Sequence, residues 1–281
     1  MAVDLHVHTT TSDGTLSPAE AVEAAVRAGL TGIAITDHDT VSGVAEAVKT
    51  AGGRLRVVPG VEINTDTQID GRWREVHILG YLLDPASPAL DTELQRLRVA
   101  RYERAQRIVD RLAQLNLPVS FAKVEEFAGG SPLGRPHIAQ AMVDAGLVGS
   151  VLEAFRLYLG LGRPAYVERY KLSPEEAVRL IHAAGGAAVL AHPGLIGDDS
   201  IIAPLIAVGL DGIEARYPEH GRREARRYAA MARRYGLVVT GGSDAHGPGF
   251  PGRATIGEVR VPDKAIDELD ARRPLGEPAS V

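Results

Sequence analysis

Short apolar runs alternate with amphipathic stretches at both ends of the chain, whereas the middle third contains only amphipathic stretches. Val3 to Val7 reads as a short strand. Ser17-Pro18-Ala19-Glu20 then reads as a helix start, with Ser17 at the N-cap, Pro18 at N1 and Glu20 at N3. Ala21, Val22, Ala25 and Val26 follow at helical spacing, and Gly29 ends the helix. Gly32 to Ile35 is the next strand and Val41 to Ala51 the next helix. Arg56 to Ile63 and Val76 to Leu82 read as further strands. After Ser173 the alternation resumes: a helix to Ala184, a strand over Ala187 to Leu190, a helix near Ile201 to Val208, a strand over Gly212 to Glu214, a helix over Arg222 to Tyr235 and a strand over Leu237 to Thr240. Repeated units of this length predict a parallel sheet or barrel.

Between Asp84 and Lys171 the period is helical almost throughout. Leu90, Leu94, Leu97, Ile108, Leu112 and Leu115 mark one face of a long helix running to about Asn116, and shorter helices are predicted at Phe121–Phe127, His137–Ala145 and Val151–Leu159. The expected organisation is therefore a discontinuous α/β barrel over 1–84 and 172–270, interrupted by a helical insertion over 85–171 that caps the active site. The tail Pro274–Val281 reads as loose.

Composition narrows the chemistry. With 281 residues and 45% hydrophobic content, the chain can bury a sizeable core. It has no cysteine, which removes thiolate nucleophiles and disulfides and suits a cytoplasmic location. No signal peptide and no membrane-spanning run is predicted. A net charge of -5 argues against stable binding of duplex nucleic acid. The insertion, however, carries 12 Lys and Arg against 9 Asp and Glu, so an acidic body bears a mildly basic segment, which suits an anionic substrate. The arginine stripe Arg96, Arg104, Arg107 and Arg111 is interspersed with acids and reads as a solvated face, as does that of Arg222 to Arg234. His182 and His220 lack acidic neighbours in sequence and read as structural or exposed. There is no P-loop or dinucleotide fingerprint, and nothing points to a particular oligomeric state.

The candidate chemistry lies in the outer segments. His6 and His8 have the same strand parity and can reach one ion, and Asp13 follows them in a loop. Asp37-His38-Asp39 directly follows an apolar strand; His38 reads as a ligand, Asp37 as a group orienting His38 or a neighbour, and Asp39 as the cap of the next helix. Glu62 ends an otherwise apolar strand, where either a metal or a buried arginine would offset its charge. His77 opens a strand, and such a histidine alone is more often a hydrogen-bonded core residue than a ligand. His192 and the pair Asp244 and His246 leave later strands, the latter after a glycine pair that permits close backbone approach. Imidazoles and carboxylates without thiolates suit Mn²⁺, Zn²⁺ or Fe²⁺.

These segments resemble the PHP family (polymerase and histidinol phosphatase). The resemblance rests on Asp4-Leu5-His6-Val7-His8 through Ser12-Asp13-Gly14, Ile35-Thr36-Asp37-His38-Asp39, Gly60-Val61-Glu62-Ile63, Ala191-His192-Pro193-Gly194 and Gly242-Ser243-Asp244-Ala245-His246-Gly247, and it covers roughly 1–84 and 172–261. It implies a distorted (β/α)7 barrel with two or three divalent ions, Mn²⁺ first, at the C-terminal ends of the strands. One ion would take His6, His8, Glu62 and Asp244; a second would share Glu62 and take His77 and His192; a third would take Asp13, His38 and His246. Some relatives have histidine where this chain has Asp13. The insertion is similar to that of the subgroup acting on nucleotides with a 3′-phosphate and linked to 5′-end trimming of RNA. The similarity rests on Gly134-Arg135-Pro136-His137 and Gly162-Arg163-Pro164 with Tyr166, and it implies phosphate contacts from Arg135, His137, Arg163 and Lys171.

The resulting expectation is a metal-dependent phosphoesterase. A hydroxide held between metals by Glu62, Asp13 and Asp244 would attack a nucleotide phosphomonoester, foremost the 3′-phosphate of a nucleoside 3′,5′-bisphosphate, with trimming of short 5′-phosphorylated oligonucleotides alongside. Histidinol-phosphate phosphatase is the same-chemistry alternative. A non-catalytic metal-binding module is the alternative of another class.

Overall fold

A computed structural model describes residues 1–168, 170–248 and 254–274. The chain divides into two compact units, Met1–Thr92 with Lys171–Val281, and Glu93–Tyr170.

The first unit is built on one sheet of eight strands: β1 (Ala2–Asp4), β2 (Gly32–Ile35), β3 (Arg56–Ile69), β4 (Arg72–Tyr81), β5 (Ala187–Leu190), β6 (Gly212–Arg216), β7 (Val238–Gly241) and β8 (Val261–Pro262), in the order β7-β6-β5-β4-β3-β2-β1-β8. The two ends meet. Beyond β1, Val7 bridges Ala245 in parallel, Leu5 N–H donates to Gly241 O at 3.3 Å and His8 N–H to Ala245 O at 3.0 Å. The expected α/β barrel is thus present, closed by loop continuations of β1 and β7 instead of a full ladder. Seven strands were expected; the eighth is a two-residue strand antiparallel to β1.

Apart from β8, the sheet departs from parallel at one strand. β4 is antiparallel to both β3 and β5. Strand-helix alternation conceals this because β3 and β4 form a hairpin longer than their apolar stretches. Its turn is Asp70-Gly71, both at positive φ (49° and 72°), as a two-residue hairpin requires. Ladder pairing continues through the polar segment Asn64–Gln68, which the apolar pattern leaves out of the strand.

The two faces of the sheet bury separate clusters. In β2, Ala34 joins an inner cluster with Leu5, Leu79, Tyr81 and Val189, while Ile33 and Ile35 pack outward against α1 (Pro18–Arg27) and α2 (Val44–Ala51). The Ser17–Glu20 capping box opens α1 as expected. Helix α2 starts at Val44, three residues later than its apolar pattern suggests, and Asp39 does not cap it.

The second unit is helical, with most of α3 (Pro88–Gln114) followed by α4 (Phe121–Ala128), α5 (Arg135–Asp144) and α6 (Val151–Ala154), the last running into a π-turn over Phe155–Leu159. Ile108, Leu112, Val124, Ile138, Met142 and Leu159 form its core. The arginine stripe on α3 is not simply solvated. Arg104 is buried and donates to Val167 O at 2.6 Å, Arg111 donates to Tyr166 O, and Arg96 lies 3.8 Å from the Tyr170 ring centroid. These contacts fasten an irregular segment that has no ladder of its own.

The remaining helices of the first unit are α7 (Pro174–Ala183), α8 (Ile202–Ala207), α9 (Arg222–Arg234) and α10 (Lys264–Asp270). Among the described residues, no helix is long and apolar enough to cross a membrane. The loose-tail expectation falls, from residue 275 on, outside the described residues.

Candidate metal centre

Glu62 is the hub of the barrel mouth. It sits in β3, buried, with its two carboxylate oxygens facing five imidazoles. Oε2 lies 3.3 Å from His6 Nε2, 3.2 Å from His8 Nε2 and 3.0 Å from His38 Nδ1. Oε1 lies 2.8 Å from His77 Nδ1 and 3.0 Å from His192 Nε2. Asp244 approaches the first pair, with Oδ1 at 3.5 Å from His6 Nε2 and 3.1 Å from His8 Nε2. On the other side, Asp13 lies 3.8 Å from His8 Nδ1 and from His38 Nε2, and 3.5 Å from His246 Nε2. All nine residues singled out as ligands therefore stand in one connected cluster.

Three groups in this cluster have donor atoms close enough to hold an ion: His6, His8, Glu62 and Asp244; His8, Asp13, His38 and His246; and His38, Glu62 and His77. His8 and His38 each belong to two of them. The first matches the expected set. In the third, His38 stands with Glu62 and His77, and His192 is tied to the group through Glu62 Oε1.

Local backbone chemistry brings these side chains together. His6 and His8 lie on the continuation of β1. The chain after β7 passes so close to His6 that a Cβ on Gly242 would meet His6 Cβ at 2.3 Å, so the glycine is what lets Asp244 arrive. Asp244 itself has φ 49° and His192 φ 24°, backbone conformations that non-glycine residues adopt at a cost.

Several polar groups support the cluster without belonging to it. Glu214, buried in β6, accepts from His6 Nδ1 at 3.0 Å and from His192 N–H at 2.8 Å. Tyr217 donates its hydroxyl proton to Asp244 Oδ2 at 2.9 Å. Asp37 does not touch His38. Its oxygens accept from Thr9 N–H at 2.7 Å and from the hydroxyls of Thr9, Thr11 and Ser12 at 2.7, 2.6 and 2.5 Å, which shapes the loop carrying Asp13. Asp39 accepts from Asn64 N–H at 3.2 Å, and Asn64 Nδ2 lies 3.2 Å from His38 Nδ1. Asp4 accepts from the N–H groups of Ser243 and Gly257 at 2.9 and 2.8 Å; burial nonetheless pushes its pKa up to about 6. Glu214 and Tyr217 escaped the sequence reading. The signal for Glu214 was present: a carboxylate inside a buried apolar strand, the same logic that selected Glu62.

The donor set fits metal ions. His6 Nε2, both ring nitrogens of His8, Glu62 Oε2, His77 Nε2 and His192 Nδ1 are buried and make no hydrogen bond, although oxygens and nitrogens of neighbouring groups stand about 3 Å away. Buried polar atoms are costly to leave unpaired, and lone pairs directed at a common space are what a cation satisfies. Without ions the cluster pairs its own charges. Burial opposes protonation of His8 and His77, yet the close carboxylates of Asp244 and Glu62 raise His8 to about 10, and those of Glu62 and Glu75 raise His77 to about 9. Burial likewise opposes ionisation of Glu62 and Asp244, and the neighbouring imidazoles outweigh it and hold both carboxyls well below the usual range.

The residues expected to contact phosphate divide between the units. In the helical unit, Arg135 opens α5 and donates to Leu159 O at 3.4 Å, His137 Nδ1 accepts from Gly134 N–H at 3.2 Å, and Arg163 is exposed in the turn after Gly160. Lys171 belongs to the barrel unit, where it is paired with Asp66 and, at 3.3 Å, with Glu75. His182 is structural, as expected, though it has an acidic partner that its sequence neighbours do not show: Asp211 lies 2.8 Å from its Nε2. His220 is buried and structural: its Nε2 accepts from Gly194 N–H at 3.0 Å and its Nδ1 lies 3.1 Å from Ala215 O.

Comparison with known proteins places this cluster. The family model of the PHP domain matches residues 4–102. The 3′,5′-nucleoside bisphosphate phosphatase of Chromobacterium violaceum is 37% identical over 260 residues, 89% of this chain and 89% of its own length. The chain belongs to the PHP family. A second relative, the 5′-3′ exoribonuclease Rnm of Escherichia coli, is 34% identical over 253 residues, 87% of this chain and 85% of its own. Among solved structures, a candidate metal-dependent phosphoesterase from Bifidobacterium adolescentis superposes with a TM-score of 0.85 at 34% identity, covering 96% of both chains. As a PHP member with such relatives, this protein is a metal-dependent phosphoric ester hydrolase.

Proposed function

We propose that this PHP phosphoesterase hydrolyses a phosphomonoester of a nucleotide, foremost the 3′-phosphate of a nucleoside 3′,5′-bisphosphate, and that it also trims short 5′-phosphorylated oligonucleotides. The observation that carries the reading is the Glu62 hub: five imidazoles and two further carboxylates gathered around buried donor atoms that lack hydrogen-bond partners. The relative with bisphosphate phosphatase activity in its name, alike over nearly the whole chain, supports the choice of substrate.

In this reading two or three divalent cations are held by His6, His8, Glu62 and Asp244, by Glu62, His77 and His192, and by Asp13, His38 and His246, with Mn²⁺ the first candidate. Such ions lower the pKa of water toward ~7 and offset charge on phosphoryl oxygens. The protein's own part is positional. Glu62 holds two of the groups together through its two oxygens. Glu214, by accepting the Nδ1 proton of His6, leaves Nε2 as the lone-pair nitrogen facing the mouth. Tyr217 fixes one oxygen of Asp244 and leaves the other turned to the histidines. Asp37 sets the loop from which Asp13 reaches in. Arg135, His137, Arg163 and Lys171 are the proposed phosphate contacts, and a guanidinium suits two phosphoryl oxygens at once. A P–O bond forms to a water oxygen as the ester P–O bond breaks, and the released hydroxyl takes a proton.

The test is a screen of the Mn²⁺-loaded protein. Release of inorganic phosphate from a nucleoside 3′,5′-bisphosphate but not from the 5′-monophosphate supports the first activity, and ladder-like shortening of 5′-phosphorylated RNA supports the second. Failure on both substrates overturns the reading.

A further inference from the structure

The β3-β4 hairpin extends the inner face of the barrel outward as a rail of side chains. Residues two apart on a strand share a face, and three successive rungs of this ladder are Asn64 with His77, Asp66 with Glu75, and Gln68 with Trp73. Contacts confirm the shared face for the first two rungs. His77 Nε2 lies 3.8 Å from Glu75 Oε1, and Lys171 sits between Glu75 and Asp66. The third rung ends in Trp73, the one tryptophan of the chain, 48% exposed and without an aromatic, cationic or hydrogen-bonding partner for its side chain among the described residues. Arg72 and Arg74 flank it in sequence and by strand alternation lie on the other face of the hairpin, so on its own face the tip presents a flat aromatic surface next to the Asp66–Lys171–Glu75 group.

We propose that Trp73 is a stacking platform for a nucleobase of an oligonucleotide substrate, one that lies beyond the nucleotide under attack. This rests on the nucleotide reading above. Four steps along the strand lead from Trp73 to His77, a span of about 14 Å at ~3.4 Å per residue. That exceeds the reach from phosphorus to base in a single nucleoside phosphate and suits the next base along a single strand. Between the two, Lys171 offers an ammonium to the intervening phosphate. Aromatic stacking binds single strands with little regard to sequence. Trp73 is therefore a specificity residue that favours oligonucleotides, and it leaves hydrolysis of mononucleotides untouched.

Trp73→Ala and Trp73→Phe test this in the Mn²⁺-loaded full chain, against a 5′-phosphorylated RNA trinucleotide, a nucleoside 3′,5′-bisphosphate and a base-free aryl phosphate. The expected result is a KM for the trinucleotide raised on the order of tenfold in Trp73→Ala with kcat unchanged, largely restored in Trp73→Phe, and no change for the other two substrates. As a binding readout, the emission of the lone tryptophan is quenched by a trinucleotide analogue with methylene-bridged linkages and not by the bisphosphate. An unchanged trinucleotide KM and unquenched emission would overturn the stacking role while phosphate release continued. A wild-type protein that cleaves the bisphosphate but not the trinucleotide overturns it too. Loss of all three wild-type activities would instead strike the phosphoesterase reading, with the emission titration still deciding on Trp73.

Discussion

Glu214 Oε1 stands 3.0 Å from His6 Nδ1, and the other oxygen of the same carboxylate accepts the His192 backbone N–H at 2.8 Å. One buried side chain thus orients an imidazole on the first strand and the backbone of a histidine that follows the fifth. Carboxylate partners of this kind raise the basicity of a ligating imidazole and fix its ring. Glu214→Gln keeps the shape and removes the charge. Its expected effect is a metal affinity about 10- to 100-fold weaker, read by competition with a chromogenic chelator, while the far-UV spectrum of the metal-loaded protein stays as in wild type.

Glu62 contacts more of the cluster than any other side chain. Glu62→Gln should therefore cost more than Glu214→Gln, with kcat lowered by more than about 100-fold and bound metal reduced by at least one equivalent in elemental analysis. A variant with full metal content and near-normal turnover would remove Glu62 from the centre of the scheme.

Metal ions that bind only the folded chain stabilise it by mass action. At a free Mn²⁺ concentration a hundred times its Kd, the gain is about 2.7 kcal/mol per ion, and for a chain of this size Tm rises roughly 2–4 °C per kcal/mol. Differential scanning fluorimetry before and after chelation should show a fall of several degrees, restored by Mn²⁺. An unshifted Tm would mean that the unpartnered nitrogens of His6 and His8 are not a binding site.

In the metal-free protein the cluster holds itself together by pairing imidazolium with carboxylate. His8 and His77 are raised to about 10 and about 9, so their contribution to stability is complete below the unfolded value near 6.5 and disappears as pH rises through 9 to 10. Glu62 and Asp244 are lowered, so theirs is complete above the unfolded value near 4 and disappears as pH falls through the folded one. The metal-free chain should accordingly have its highest urea midpoint between about pH 4.5 and 6.5. Because metals displace the imidazole protons, Mn²⁺ affinity rises with pH over the range in which apo stability falls. Isothermal titration in buffers of differing ionisation enthalpy would register the released protons.

The sequence made several ligands legible because they sit where an apolar run stops. His38 after Ile35, Glu62 after Val61 and His192 after Leu190 are charged or titratable groups just beyond buried apolar residues, and such positions demand a partner. The partners were less legible. Glu214 carried the same signal as Glu62, but its partners His6 and His192 lie 208 and 22 residues away. Asp37 does not orient His38 because the loop Thr9–Ser12, 25 to 28 residues earlier, supplies four donors to it. The antiparallel β4 was hidden for a different reason. Beyond Ile63 the hairpin is polar on both faces, so no hydrophobic period marks it, and only the Asp70-Gly71 pair signals its turn. Arg104 looked solvated because its acidic neighbours on α3 are visible in sequence, whereas the Val167 carbonyl it serves is sixty residues away.

The seam between the β1 and β7 continuations is where the sheet becomes a cylinder. His6 and His8 stand on one lip, Asp244 and His246 on the other, and Val7 meets Ala245 between them. Joining those lips and assembling two of the three ligand groups are consequently a single event: a chain whose remaining strands were all in register but whose lips stood apart would keep only the group of His38, Glu62 and His77, and ions bound in the other two act as rivets across the join.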